Sequence, residues 1–156
     1  MEIIKAKIFS KDFFSFLLIS INTYSFQFIG MLIFSLRRNT EVILAKLDDE
    51  VIGGLILADF PIDMFIFKNL FKKDVRDLSL QFIKSGYKNM TYVAIKKQYR
   101  GQGYGKEFFR KILEQSSLKS YFVPITPSLQ GFYEKLGAKL CLTSEGVFLR
   151  IAKIVL

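Results

Sequence analysis

The chain has 156 residues, 51% of them hydrophobic, and its 23 basic and 14 acidic side chains give a formal net charge of +9. That length fits one domain, able to bury roughly two-thirds of its unfolded surface. With no histidine and a single cysteine, Ser-His and Cys-His catalysis, a His-based metal centre and an intrachain disulfide framework are excluded. Cys141 reads as a small buried residue in a strand. The basic balance points to an anionic partner: nucleic acid, a membrane surface or a polyphosphate cofactor. The cations are scattered in short runs (Arg37-Arg38, Lys72-Lys73, Lys96-Lys97) without a basic arm. A nucleic-acid role therefore rests on net charge alone and is disfavoured.

In chain order, residues 2–8 read as a first strand, and residues 11–19 and 26–37 as two helices. Residues 13–36 carry no charge, and such a length can span a bilayer. The polar break at Asn22-Thr23-Tyr24-Ser25 and Gln27 leaves apolar blocks too short to cross alone. Glu2 and Asp12 spoil a secretory n-region. Two buried helices, a cytoplasmic location and no membrane association are the expectation. Residues 41–47 and 51–59 form a hairpin around the charged turn Asp48-Asp49-Glu50. Gly53-Gly54 within it marks a bulge or a close backbone approach. Pro61 ends the sheet run.

A helix is predicted over 63–85, with Asp63 as N-cap and Gly86 as stop. Met64, Phe67, Phe71, Val75, Leu78 and Phe82 form its apolar stripe, with the lysines and Arg76 mostly on a solvated side. Residues 90–96 are a fourth strand. Residues 104–116 are a helix with Tyr104, Phe108, Phe109, Ile112 and Leu113 on one face. Residues 121–123 form a short fifth strand ended by Pro124. Ser128 is a candidate N-cap for a helix to residue 136 that stops at a C′ glycine, Gly137. Residues 138–143 and 147–155 make a final hairpin.

The chemistry concentrates in Arg100-Gly101-Gln102-Gly103-Tyr104-Gly105-Lys106, between the fourth strand and the helix after it. A glycine-rich turn at a helix N-terminus offers outward N–H groups and a favourable dipole to a phosphate. Its spacing fits neither G-x-x-x-x-G-K-[ST] nor G-x-G-x-x-G. It does fit R-x-x-G-x-G, at Arg100, Gly103 and Gly105. That pattern resembles the acyl-CoA pyrophosphate loop of the GNAT (Gcn5-related) N-acetyltransferases. Downstream, Phe132-Tyr133-Glu134-Lys135-Leu136-Gly137-Ala138 resembles the family's FYEKLGF segment, with Ala138 where Phe is commoner. The resemblance covers residues 90–154 and is weak before residue 41.

The resemblance implies an α/β (α+β) fold: a mixed, mostly antiparallel central sheet with helices on both faces. Its fourth and fifth strands splay apart, and the pantetheine arm pairs with backbone groups at Val93, Ala94 and Ile95. Gly101, Gln102, Gly103, Tyr104, Gly105 and Lys106 would cradle the pyrophosphate. Arg100 and Lys106 would add charge-assisted contacts. Tyr133 falls where the family keeps the proton donor for the leaving thiolate; an ordinary phenol pKa of about 10 keeps it protonated at neutral pH. The family's ribosomal-protein acetyltransferases place a glutamate base where this chain has Tyr121, and a CoA-holding asparagine where it has Thr126. Thr126 or Ser128 would supply a hydroxyl instead. For the base, ordered water, Glu41 and Asp59 stay open.

The helix over 63–85 departs from the short hairpin the family uses there. It reads as an insertion near the acceptor region or an oligomer contact, which leaves a homodimer open. The expected activity is transfer of an acetyl group from acetyl-CoA, as co-substrate and without a metal, to a primary amine of an unidentified acceptor. The alternatives are a catalytically idle acyl-CoA-binding sensor or scaffold, and a basic module for membranes or nucleic acid.

Overall fold

The computed structural model describes residues 1–23, 36–37, 39–61, 64–65, 71–115, 120–143 and 150–155. Its elements are β1 (Glu2–Lys5), α1 (Lys11–Ile21), β2 (Glu41–Leu47), β3 (Glu50–Ala58), α2 (Lys73–Lys84), β4 (Lys88–Ile95), α3 (Tyr104–Gln115), β5 (Ser120–Ile125), α4 (Gln130–Glu134), β6 (Lys139–Thr143) and β7 (Arg150–Val155). Short 3-10 turns, Lys97–Tyr99 and Pro127–Leu129, precede α3 and α4. The expected mixed, mostly antiparallel α/β fold is present: among the described residues β1–β2, β2–β3, β5–β7 and β6–β7 pair antiparallel, and β4 with β5 is parallel.

The chain divides into two compact units, Met1–Ala58 with Thr91–Gln115, and Asp59–Met90 with Ser116–Leu156. In the first, the strand order is β1-β2-β3-β4. Helix α1 starts where Ser10 accepts the Phe13 N–H at 3.2 Å, an N-cap that satisfies one orphan donor. It buries Phe13, Phe16, Leu17 and Ile19, each worth about 1.5–3 kcal/mol when fully removed from water. The Gly53-Gly54 pair turns out to serve both expected purposes. Lys46 pairs with Val51 while Ala45 pairs with Gly53, so Ile52 is the extra residue of a bulge. A Cβ on Gly53 would also stand 2.4 Å from Ile95 Cδ1 and 2.6 Å from the Ala94 carbonyl, and one on Gly54 2.8 Å from Phe16 Cδ2. Only glycine lets β3 lie this close to β4 and α1.

In the second unit the order is β4-β5-β7-β6. Helix α2 packs Val75 into a cluster with Met64, Phe71 and Phe122, and Phe82 stacks on Phe122 with ring centroids 5.4 Å apart. The predicted helix is interrupted: residues 64–65 are helical, but Lys72 is extended (φ −63°, ψ 156°) and α2 begins at Lys73; the expected cap Asp63 lies outside the described residues. Its stop is as expected. Gly86 (φ +84°) is the C′ residue of a Schellman motif, in which Gly86 N–H bonds to Ile83 and Tyr87 N–H to Phe82, each at 3.0 Å. The accompanying apolar contact joins Phe82 and Tyr87.

Three further expectations change. Strand β5 runs through Pro124 to Ile125, opposite Ile151 of β7; the registered rungs to β4 end at Phe122, so the missing N–H removes none of them. Ser128 does not cap α4: it sits inside the preceding 3-10 turn, and the helix starts after Leu129 without a side-chain cap. Cys141 is exposed. Strand β6 lies at the end of its sheet order, and the pairing jumps from Leu140↔Ala152 to Leu142↔Ile151, leaving Cys141 as the unmatched residue. The predicted helix over 26–37 and the last hairpin turn fall largely outside the described residues.

Candidate active site

The loop after β4 belongs to the first unit and is built from the strand outward. Tyr92, within β4, has φ +52°, a conformation that costs a bulky residue about 1–3 kcal/mol and so requires support from its surroundings. Val93, Ala94 and Ile95 follow, with Ala94 buried and its flanking residues half-buried. The Lys96 N–H then bonds to the Ile52 carbonyl at 2.8 Å. The 3-10 turn closes through Tyr99 N–H to Lys96 O at 2.9 Å and Arg100 N–H to Lys97 O at 3.2 Å.

Gly101 (φ +76°) and Gly103 (φ +88°) carry the chain to α3, and a Cβ at either would meet nothing within 4 Å. The glycines are therefore set by backbone conformation and not by crowding. The Glu107 N–H donates to the Gly103 carbonyl at 3.1 Å, the first α-helical bond of α3. The N–H groups of Tyr104, Gly105 and Lys106 precede that bond and have no acceptor within the helix. They lie at the positive end of the dipole, with exposed Lys106 among them. Such an arrangement can hold a phosphate or pyrophosphate.

Arg100 makes two contacts within the protein. Its Nε donates to the Ile95 carbonyl at 2.7 Å and its Nη2 to Thr23 Oγ1 at 3.0 Å. The guanidinium thus ties the loop to the end of β4 and to the residues after α1. Exposed Gln102 donates to the Gln98 carbonyl at 2.6 Å. A groove beside the loop is lined by Leu18, Ile19 and Asn22 on one side and by Lys96, Lys97 and Arg100 on the other.

Sequence reasoning missed a cluster beneath this loop. Glu50, the first residue of β3, accepts hydrogen bonds from Lys96 Nζ and, at 2.5 Å, from the Tyr99 hydroxyl. The bonds from Lys96 and then Tyr99 hold the Glu50 carboxyl below its ordinary value. The bond to Glu50 pushes the Tyr99 phenol above its own. In the sequence Glu50 closes the charged turn Asp48-Asp49-Glu50. No sequence spacing joins it to residues 46 and 49 positions further on; only the β3–β4 neighbourhood does.

In the second unit, Tyr133 is buried in α4, its ring edge-on to Phe132 at 5.2 Å. Gly137 (φ +83°) is the C′ residue of another Schellman motif: its N–H bonds to Glu134 at 2.9 Å, and Ala138 N–H bonds to the Tyr133 carbonyl at 3.0 Å. The helix stop foreseen from the sequence therefore also anchors the Tyr133 backbone. Thr126 and Ser128 form a hydroxyl pair at 2.8 Å. Tyr121 is fully buried. Of the carboxylates considered as bases, Glu41 is in an ion pair with Lys5 at 3.2 Å. Among the described residues no cluster of three or more His, Cys, Asp or Glu could hold a metal ion, and no helix is long and apolar enough to cross a membrane.

A strained strand passes through a glycine turn into an open helix N-terminus, on a mixed and mostly antiparallel α/β sheet. The chain belongs to the acetyltransferase (GNAT) family, whose model matches residues 7–138. Among solved structures it is similar to an acyl-CoA N-acyltransferase from Pseudomonas aeruginosa (12% identity, 99% of each chain covered, TM-score 0.65). It is also similar to a GNAT family acetyltransferase from Elizabethkingia anophelis with acetyl-CoA bound (15% identity, 99% of this chain and 97% of that one, TM-score 0.60). An aminoglycoside 6′-N-acetyltransferase complexed with coenzyme A is a third (9% identity, 99% and 95% covered, TM-score 0.65). At these identities the likeness establishes the fold alone. No curated protein matches the chain.

Proposed function

We propose that this protein transfers an acetyl group from acetyl-CoA to a primary amine by direct attack of the amine on the thioester. The observation that carries the reading is the open N-terminus of α3. Gly101 and Gly103, both at positive φ with free space around them, lead into three first-turn N–H groups that have no acceptor in the helix. These groups, with Lys106, would take the pyrophosphate. The backbone of Val93, Ala94 and Ile95 would hold the pantetheine arm and offer N–H groups to the developing oxyanion.

Tyr133 is proposed as the general acid that returns a proton to the leaving thiolate. Its support is the family segment and the Schellman anchor that fixes its backbone. Thr126 and Ser128, already paired with each other, are proposed as further cofactor contacts. The amine must reach the thioester neutral, and no base is assigned because buried Tyr121 stands where relatives keep a glutamate. That substitution favours a second reading, a domain that binds acyl-CoA without turnover. Release of free thiol from acetyl-CoA in the presence of a panel of amines tests the two. Amine-dependent thiol release supports transfer; CoA binding with no release under any amine supports the second.

A further inference from the structure

The glycine loop has little packing of its own, since nothing lies within 4 Å of a Cβ at Gly101 or Gly103. Glycine also has more conformational freedom to lose than any other residue. A cradle of backbone N–H groups binds tightly only if they are already aimed, so its rigidity has to be imported from outside. The contacts locate the source. Lys96 begins the turn and Tyr99 ends it, and both side chains converge on one carboxylate, Glu50. The Tyr99 ring in turn meets Tyr104, the first residue of α3, edge-on at 5.7 Å. A chain of contacts thus runs from Glu50 through Tyr99 to Tyr104 and brackets the glycine segment from both ends.

We infer that Glu50 is the positioning residue of the cofactor loop: through Lys96 and Tyr99 it fixes the turn that aims the N–H groups of residues 104–106, and so sets affinity for CoA without touching it. The inference rests on the proposal that this loop holds CoA. A negative charge beside an anion site opposes the ligand unless it does something else there. Glu50 engages Lys96 and the Tyr99 hydroxyl, while Lys97, Arg100 and Lys106 remain exposed. Its role is mechanical, and the loop cations carry the attraction.

Calorimetric titration of CoA onto the full chain and its variants, with thermal unfolding of each, tests this. Glu50→Gln keeps an acceptor but loses the charge. It is expected to weaken CoA binding about tenfold, the loss of one charge-assisted bond, with kcat at saturating acetyl-CoA changed less than about twofold. Tyr99→Phe keeps the ring contact with Tyr104 and should weaken binding about threefold. The double variant should bind no more weakly than Glu50→Gln alone, because both act through one path.

A Glu50→Gln protein that unfolds at a lower temperature but binds CoA like wild type has a structural role only, and overturns the inference. Gly103→Glu separates this from failure of the underlying reading. If Gly103→Glu abolishes binding while Glu50→Gln leaves it intact, only the inference falls. If Gly103→Glu also binds normally, the loop does not hold CoA and both fall. Should Glu50→Gln fail to fold, Tyr99→Phe decides: unchanged affinity overturns the inference.

Discussion

Gly103 and Gly137 have nearly the same backbone conformation, φ +88° and +83°, and both stand at a helix end with empty space around a would-be Cβ. What they do with their neighbours' N–H groups is opposite. At the end of α4, the N–H groups of Gly137 and Ala138 turn back onto Glu134 and Tyr133. Every donor near the bend is used internally. At the start of α3, the bend at Gly103 leads into a first turn whose N–H groups face away from the helix body. The same φ closes a helix end on itself in one place and leaves a helix start open in the other. A positive-φ glycine is therefore no functional signal by itself; its side of the helix decides.

Glutamate at position 103 breaks the comparison most severely. The side chain adds negative charge where the first-turn N–H groups would meet pyrophosphate, and an L-residue at this φ costs about 1–2 kcal/mol. CoA affinity is expected to fall by at least about a hundredfold, or more than about 2.7 kcal/mol. Titration calorimetry measures it, and unchanged affinity removes the loop assignment. The next largest effect is expected in the closed region. Tyr133→Phe keeps the ring packed against Phe132 and the Schellman anchor, and deletes only the hydroxyl. Turnover should drop by about 10²–10³, in the range of a lost general acid, while the KM for acetyl-CoA stays within about threefold. Equal loss in kcat and CoA affinity, or no loss, removes the acid role.

Alanine at the two glycines sharpens the comparison. Neither Cβ meets a neighbour, so both variants pay only the φ penalty. Each should lower Tm by roughly 2–6 °C, from about 1–2 kcal/mol in a chain of this size. The stability effects should match, and only Gly103→Ala should weaken CoA binding. If Gly137→Ala weakened CoA binding equally, the opposition between open and closed ends would be lost.

The two regions also differed in how they could be read from sequence. Both Schellman stops were legible because a glycine after an apolar stripe has one common use at a C′ position, and Gly86 and Gly137 both have it. The loop's shape was legible because glycine spacing records backbone conformation directly, and Gly101 and Gly103 both have positive φ. Gly53-Gly54 was legible as a bulge or a close approach and proved to be both. What stayed hidden were contacts made by ordinary side chains across strands. Glu50 reaches Lys96 and Tyr99 through strand neighbourhood, and Arg100 gives two of its donors to Ile95 and Thr23. Periodicity also missed a break before α2: the apolar stripe continues through Phe71, which remains in the core, but Lys72 takes an extended backbone that the stripe cannot report.

The smallest expected effect concerns the Glu50 contacts and their pH dependence. The folded Glu50 carboxyl lies below its ordinary value of 4.5, first because Lys96 and then because Tyr99 donates to it. A depressed carboxylate contributes stability that is complete above its unfolded pKa and disappears as pH falls through the folded one. The Tyr99 phenol lies above its ordinary value of 10.0 because it donates to Glu50, so its contribution is complete below 10.0 and disappears as pH rises through the folded value. Both groups are open to solvent, which keeps the effect small. The Tm gaps from wild type to Glu50→Gln and to Tyr99→Phe should thus stay constant across the neutral range. Because the two groups share one bond, each gap should shrink on the acid side of the ordinary carboxylate range and on the alkaline side of the ordinary phenol range. Scanning Tm against pH for the three proteins separates the two flanks. A gap that closed near neutral pH would mean that neither bond is formed as described, and the open loop would have to owe its shape to Arg100 and its backbone turn alone.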